Sequence, residues 1–141
     1  MKKKSIMREI SIAHFHLGML LDKQLEEKQV KIRKGQNRFL WNIYRNEGMS
    51  QKELGAYLHV EKATTAKAVQ KLIEAGYIYK KEDEKDRRLY RLYMTEEGKM
   101  VIPELKEIRE TINNTALANF SEEQEKEFFE FLQKFNENLL K

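Results

Sequence analysis

The chain has 141 residues, 40% hydrophobic and 35% charged, with a net charge of +4 and no cysteine. That composition fits one helix-rich domain, alone or with an appended dimerisation region, and excludes disulfides, thiolate zinc sites, cysteine nucleophiles and thiol redox sensing. Apolar runs are only a few residues long, and no signal-peptide core follows the basic residues 1–5. A cytoplasmic protein is expected, neither secreted nor inserted in a membrane.

The charge is unevenly spread. Residues 1–49 hold eleven Lys/Arg against five Asp/Glu, and residues 50–91 hold ten against seven. Residues 104–141 reverse the sign, with five against nine. A polyanion would therefore meet the N-terminal and central parts, not the C-terminal part.

In chain order, residues 5–28 read as a long helix. Ile6, Ile10, Ala13, Leu17, Leu20, Leu21 and Leu25 recur at three- and four-residue spacing. Ile12, Phe15 and Met19 add a second apolar stripe, so the helix calls for cover on more than one side. Residues 35–46 read as a second helix with Phe39, Leu40, Ile43 and Tyr44 inward and Gly48 as its stop. Ser50-Gln51-Lys52-Glu53 reads as a capping box, in which Ser50 caps the Glu53 N–H and the Glu53 carboxylate returns to the Ser50 N–H. A short helix follows to about Leu58, then a turn at His59 to Glu61. The next helix, residues 62–75, is expected to face Ala66, Val69, Leu72 and Ile73 inward and to close at Gly76.

The period then changes. Residues 77–81 are β-prone, and residues 89–94 alternate with period two. The charged stretch between them makes a hairpin with a long tip. Thr95 caps another helix, with Glu96 and Glu97 in its first turn and Pro103 about two turns in. Ser121-Glu122-Glu123-Gln124 is a second capping box. It opens a last helix with Phe128, Leu132, Phe135 and Leu139 on one stripe, the pattern of a dimer core.

Helix, turn, helix, hairpin over residues 50–95 is the plan of a winged helix-turn-helix. The outward face of its second helix carries Lys62, Ala63, Thr64, Lys67, Gln70 and Lys71, with no acidic residue between Lys62 and Ile73. Small residues allow close approach to a major groove, and Thr and Lys donate to base edges and phosphates. A lysine-rich face alone is an ordinary solvated face; the wing gives it weight. At the wing tip Asp86-Arg87-Arg88 places two arginines where core packing gains nothing. Arginines there can enter a narrow minor groove, with Asp86 holding one guanidinium. As bland alternatives, these charges form a surface salt-bridge cluster, or the scaffold is a protein–protein module without DNA. Enzyme chemistry lacks its parts: there is no Gly-rich phosphate loop and no serine elbow. His14 and His16 lie two apart on a helix and cannot jointly hold one ion. No metal and no cofactor are expected.

Several spaced motifs resemble the MarR family of regulators. They are Ser50-Gln51-Lys52-Glu53-Leu54-Gly55, the run from Thr64 to Ile78, and Asp86-Arg87-Arg88 followed by Leu92, Met94-Thr95 and Gly98. Met94 stands where the family usually has leucine. The resemblance implies a mainly α protein with a small β-hairpin wing, its winged helix-turn-helix flanked by dimerisation helices. The corresponding parts are residues 1–34, 35–98 and 99–141. It implies a homodimeric DNA-binding transcriptional regulator, a repressor on double-stranded DNA with a pseudo-palindromic operator, released by a small aromatic effector. Carried onto this chain, Lys62, Thr64, Thr65, Lys67 and Lys71 would enter the major groove. Ser50 and Gln51 would anchor phosphate, Arg87 and Arg88 would be the wing contacts, and Asp86 would support them. Phe15, Met19, Trp41 and Tyr44 would line an effector pocket between the dimer helices and the winged domain.

Overall fold

Polar caps set where most of the helices begin. The computed structural model describes residues 4–141, with helices α1 (Ile6–Glu27), α2 (Lys34–Arg45), α3 (Gln51–Leu58), α4 (Lys62–Glu74), α5 (Glu96–Ala116) and α6 (Glu122–Leu139). One antiparallel hairpin, β1 (Ile78–Glu82) and β2 (Tyr90–Met94), lies between α4 and α5. Ser5 Oγ accepts from the Arg8 N–H at the start of α1. Thr95 Oγ1 accepts from the Gly98 N–H at 2.9 Å and donates to the Gly76 carbonyl at 2.6 Å. Both arms of the box at Ser121 and Gln124 are made.

At α3 only one arm forms. Ser50 Oγ accepts from the Glu53 N–H at 3.0 Å, but the expected return from Glu53 is absent. Ser50 lies opposite Arg91 in an isolated β-bridge. Residues 48–50 thus act as a short third strand beside β2, tied by Gly48 N–H to Leu92 O and Leu92 N–H to Met49 O.

The chain falls into two compact units, Met1–Arg109 and Glu110–Lys141. In the first, the core is Phe39, Leu40 and Ile43 of α2, Leu54 of α3, Ala68, Val69 and Leu72 of α4, Ile78 and Leu92 of the hairpin, and Val101, Ile102, Leu105 and Ile108 of α5. Each large aliphatic side chain so buried contributes roughly 1.5–3 kcal/mol of transfer free energy. Tyr44, expected inward, is 38% exposed. The Lys34 N–H donates to Asp22 Oδ1 and fastens the start of α2 to α1. Among the described residues, no helix is long and apolar enough to cross a membrane.

Close approach fixes the pitch of the helix-turn-helix. His59, in the left-handed region at φ +56°, ends α3; its N–H bonds to Ala56 O and that of Val60 to Gly55 O. A Cβ at Gly55 would sit 2.8 Å from Thr65 Oγ1, so only glycine lets α3 lie this near α4. In the second unit, Phe120 and Phe128 stack at 5.9 Å, and no residue of α6 is buried.

Candidate nucleic-acid interface

Which face α4 buries decides what it can offer. Thr65, Ala68, Val69 and Leu72 are buried, at the three- and four-residue spacing of one helical stripe. Lys62, Ala63, Thr64, Ala66, Lys67, Gln70 and Lys71 are exposed. Two expectations are corrected. Ala66 lies outward, and Ala68 holds the inward position. Thr65 is only 2% exposed: its hydroxyl donates to Glu61 O at 3.0 Å and its side chain meets Gly55. It cannot reach a groove. Lys62, Lys67 and Lys71 make no ion pair among the described residues, so their charge stands free to meet an anion.

Ser50 is likewise turned inward, 2% exposed, with its hydroxyl spent on the Glu53 N–H. That corrects its expected role as a direct phosphate anchor. The first two amides of α3, those of Gln51 and Lys52, lack acceptors within the helix and are what this terminus can offer an anion. They border a groove of about 530 Å³ between α3, α4 and the wing, lined also by Lys62, Arg88 and Tyr90.

The wing is an antiparallel hairpin with the register Ile78↔Met94 to Glu82↔Tyr90. Tyr79 and Tyr93 stack across the strands at 5.5 Å, and the Lys80 ammonium lies over the Tyr90 ring. At the tip, Asp86 takes Arg88 with both oxygens, from Nε at 3.0 Å and Nη2 at 3.2 Å. The Arg88 side chain is nonetheless 90% exposed. Arg87 is exposed and has no ion pair among the described residues. The Arg88 guanidinium and backbone N–H hold the Asp86 carboxyl below its usual range. Asp83 is lowered as well, first by Arg91 and then by the Asp86 N–H. Asp83, a candidate partner for Arg87 and Arg88 in the sequence, pairs instead with Arg91 at 2.8 Å, a residue the sequence did not single out.

The candidate effector residues Phe15 and Met19 lie on α1, and Trp41 and Tyr44 on α2. Phe15 lines a groove of about 440 Å³ between α1 and the start of α2, with His14, Leu21 and Lys34; Met19, Trp41 and Tyr44 do not border it. Trp41 is buried, with Tyr44 edge-on and the guanidinium carbons of Arg45 and Arg109 at 5.2 and 4.3 Å from its ring centre. Among the described residues no three His, Asp or Glu side chains are grouped to hold a metal ion.

A capped helix, a tight turn, a second helix with a free basic face and a two-stranded wing define a winged helix-turn-helix protein. The MarR family profile matches residues 34–89. The chain is 31% identical over 134 residues to the HTH-type transcriptional regulator YybA of Bacillus subtilis, an alignment covering 95% of this chain and 88% of that one. A MarR transcriptional regulator from Methanosarcina mazei superposes with a TM-score of 0.89 at 36% identity, covering 96% of both chains. A MarR family regulator from Listeria monocytogenes, solved with a 26mer DNA, superposes with a TM-score of 0.85 at 28% identity, over 97% of this chain and 90% of that one. The chain belongs to the MarR family of helix-turn-helix transcriptional regulators.

Proposed function

We propose that this regulator is a repressor that binds a pseudo-palindromic DNA operator as a homodimer in the cytoplasm. The observation that carries the reading is the α4 face, where Lys62, Lys67 and Lys71 lie exposed without acidic partners beside a wing tip that projects Arg87 and Arg88. Such a surface neutralises phosphates on either side of a groove-bound helix. The DNA complex of the Listeria relative supports the same use of the scaffold. Residues 35–98 form the DNA-binding part, with Lys62, Thr64, Lys67 and Lys71 at the major groove, Gln51 at phosphate and Arg87 and Arg88 at the minor groove. Residues 1–34 and 99–141 supply dimer contacts. A small aromatic ligand releases the operator by favouring a dimer whose recognition helices are wrongly spaced.

The test is a gel shift on DNA upstream of the protein's own gene, at two salt concentrations. A sequence-specific, salt-sensitive shift is expected, with half-sites roughly 34–36 Å apart. A protein that shifts no fragment would instead be a winged-helix protein–protein module. Adding small aromatic acids to the shifted complex tests release.

A further inference from the structure

We propose that Asp83 and Arg91 are the positioning residues of the wing: their ion pair, anchored on the Gly48 carbonyl, fixes the direction in which Arg87 and Arg88 are presented. The inference rests on the DNA-binding reading and deepens it, because neither residue needs to touch DNA.

Arg91 lies on β2, one rung from the end of the hairpin. Its Nε donates to Asp83 Oδ1 and its Nη1 to Gly48 O, both at 2.8 Å. Asp83 begins the tip, and Gly48 belongs to the α2–α3 connection. One guanidinium thus joins the wing to the helix-turn-helix frame. Asp83 passes the constraint outward: Oδ2 accepts from the Asp86 N–H at 3.0 Å, and Asp86 grips Arg88.

Gly48 and Met49 pair with Leu92 through the backbone, and Ser50 bridges the Arg91 backbone at the same rung. Further out, among the described residues, no hydrogen bond ties the wing to the rest of the fold. Arg91 is therefore the outermost tie. That backbone pairing holds β2 but not the β1 side of the tip; a forked, charge-assisted bond from β2 to Asp83 and Gly48 removes the freedom left to it. The pair is also better shielded than the one at the tip, with side chains 35% and 18% exposed against 90% for Arg88. Shielding from water keeps an ion pair effective. Lysine cannot replace this arginine, since it has no planar fork to serve two acceptors.

The test is a double-mutant cycle on the wing. Operator affinity is measured by fluorescence anisotropy for the full-length wild type, Arg91→Ala, the pair Arg87→Ala plus Arg88→Ala, and all three together. Arg91→Ala should weaken binding roughly tenfold. Removing the tip arginines from that background should cost less than about twofold more, because a swinging tip no longer places them. Arg91→Lys should fall between. Tip arginines that matter equally in both backgrounds would overturn the proposal and leave DNA binding intact. So would a wild-type affinity in Arg91→Ala.

Amide hydrogen exchange on the free protein gives a second readout. The Leu89 N–H, which donates to Asp86 O, should exchange faster in Arg91→Ala and in Asp83→Asn, while the Leu92 N–H stays protected. Unchanged exchange at Leu89 in both variants would refute the clamp. If the wild type binds no DNA, the functional reading falls and this measurement alone decides.

Discussion

Lys67 sits in the middle of the exposed α4 face, flanked by Ala63 and Ala66, with no carboxylate in ion-pair reach among the described residues. A lysine with that surrounding neutralises one phosphate. Lys67→Ala should therefore lower operator affinity on every sequence tested and reduce the slope of log K against log salt by about one. Titrations at four salt concentrations measure both; an unaltered slope would remove Lys67 from the phosphate contacts. The wing tip makes a pH prediction. Asp83 and Asp86 are held below the usual aspartate range in the folded chain, by Arg91 and Arg88 respectively. A carboxyl lowered on folding stabilises the fold above its unfolded value, and that contribution fades as pH falls through the folded value. The tip should hold its geometry at pH 5 and loosen below about pH 4, read as faster exchange of the Leu89 and Asp86 amides. Tip loosening that begins above pH 5 would contradict the pairing. At this scale the sequence was half legible. Asp86 beside two arginines announced a pair without choosing the partner. Thr65 and Ser50 looked like ligands because their chemistry suits phosphate, yet helix phase and capping turned both inward. Arg91 was unreadable, since its partners lie 8 and 43 residues away.

Elements were easier to read than residues, because caps and periods are local. Ser50, Thr95 and Ser121 each announce a helix start, and each hydroxyl accepts an N–H in the first turn, as does that of Ser5, which the sequence did not single out. The phase of α4 was harder. Thr, Ala and Lys mark no strong apolar stripe, so spacing alone admits Ala66 or Ala68 as the inward residue. What selects Ala68 is tertiary: Gly55 admits the Thr65 side chain, and that contact sets the rotation of the helix. Gly98 makes the same point at the start of α5. A Cβ there would overlap the Tyr77 carbonyl, to which the Thr95 N–H also bonds. The obstacle is the Tyr77 backbone, which cannot swing away as a side chain would. Gly98→Ala should thus push α5 off the hairpin and destabilise the protein by about 2 kcal/mol or more, measured by urea denaturation. A loss below about 0.5 kcal/mol, the size of a surface change, would show that the seat yields.

At the scale of the whole molecule, the apolar side chains that a single chain leaves uncovered become decisive. On α1, Ile6, Met7, Phe15 and Met19 are 55–77% exposed, and Leu25 is the helix's one buried residue among those described. On α6, Phe128, Phe129, Phe131 and Leu139 are 42–69% exposed. Scattered apolar residues on a surface need no explanation, but so many large ones concentrated on two helices mark an interaction face. The sequence placed Ile6, Phe15, Met19, Phe128 and Leu139 on apolar stripes, but not Met7, Phe129 or Phe131; it could not reveal that one chain fails to cover them, because burial depends on which helices return to pack. A second copy offers the same stripes, and twofold pairing of identical patches is the commonest way to close such a surface. The acidic sign of residues 104–141 disfavours contact between that segment and DNA. Phe128→Glu plus Phe131→Glu should therefore shift sedimentation from dimer to monomer while the winged part keeps its helical signal. Operator affinity should fall far more than from any single α4 lysine, because a monomer binds one half-site and loses the gain from linking two. The melting temperature of the wild type, unlike that of the variant, should rise with protein concentration. A variant that still sediments as a dimer and binds the operator unchanged would move the interface off α6.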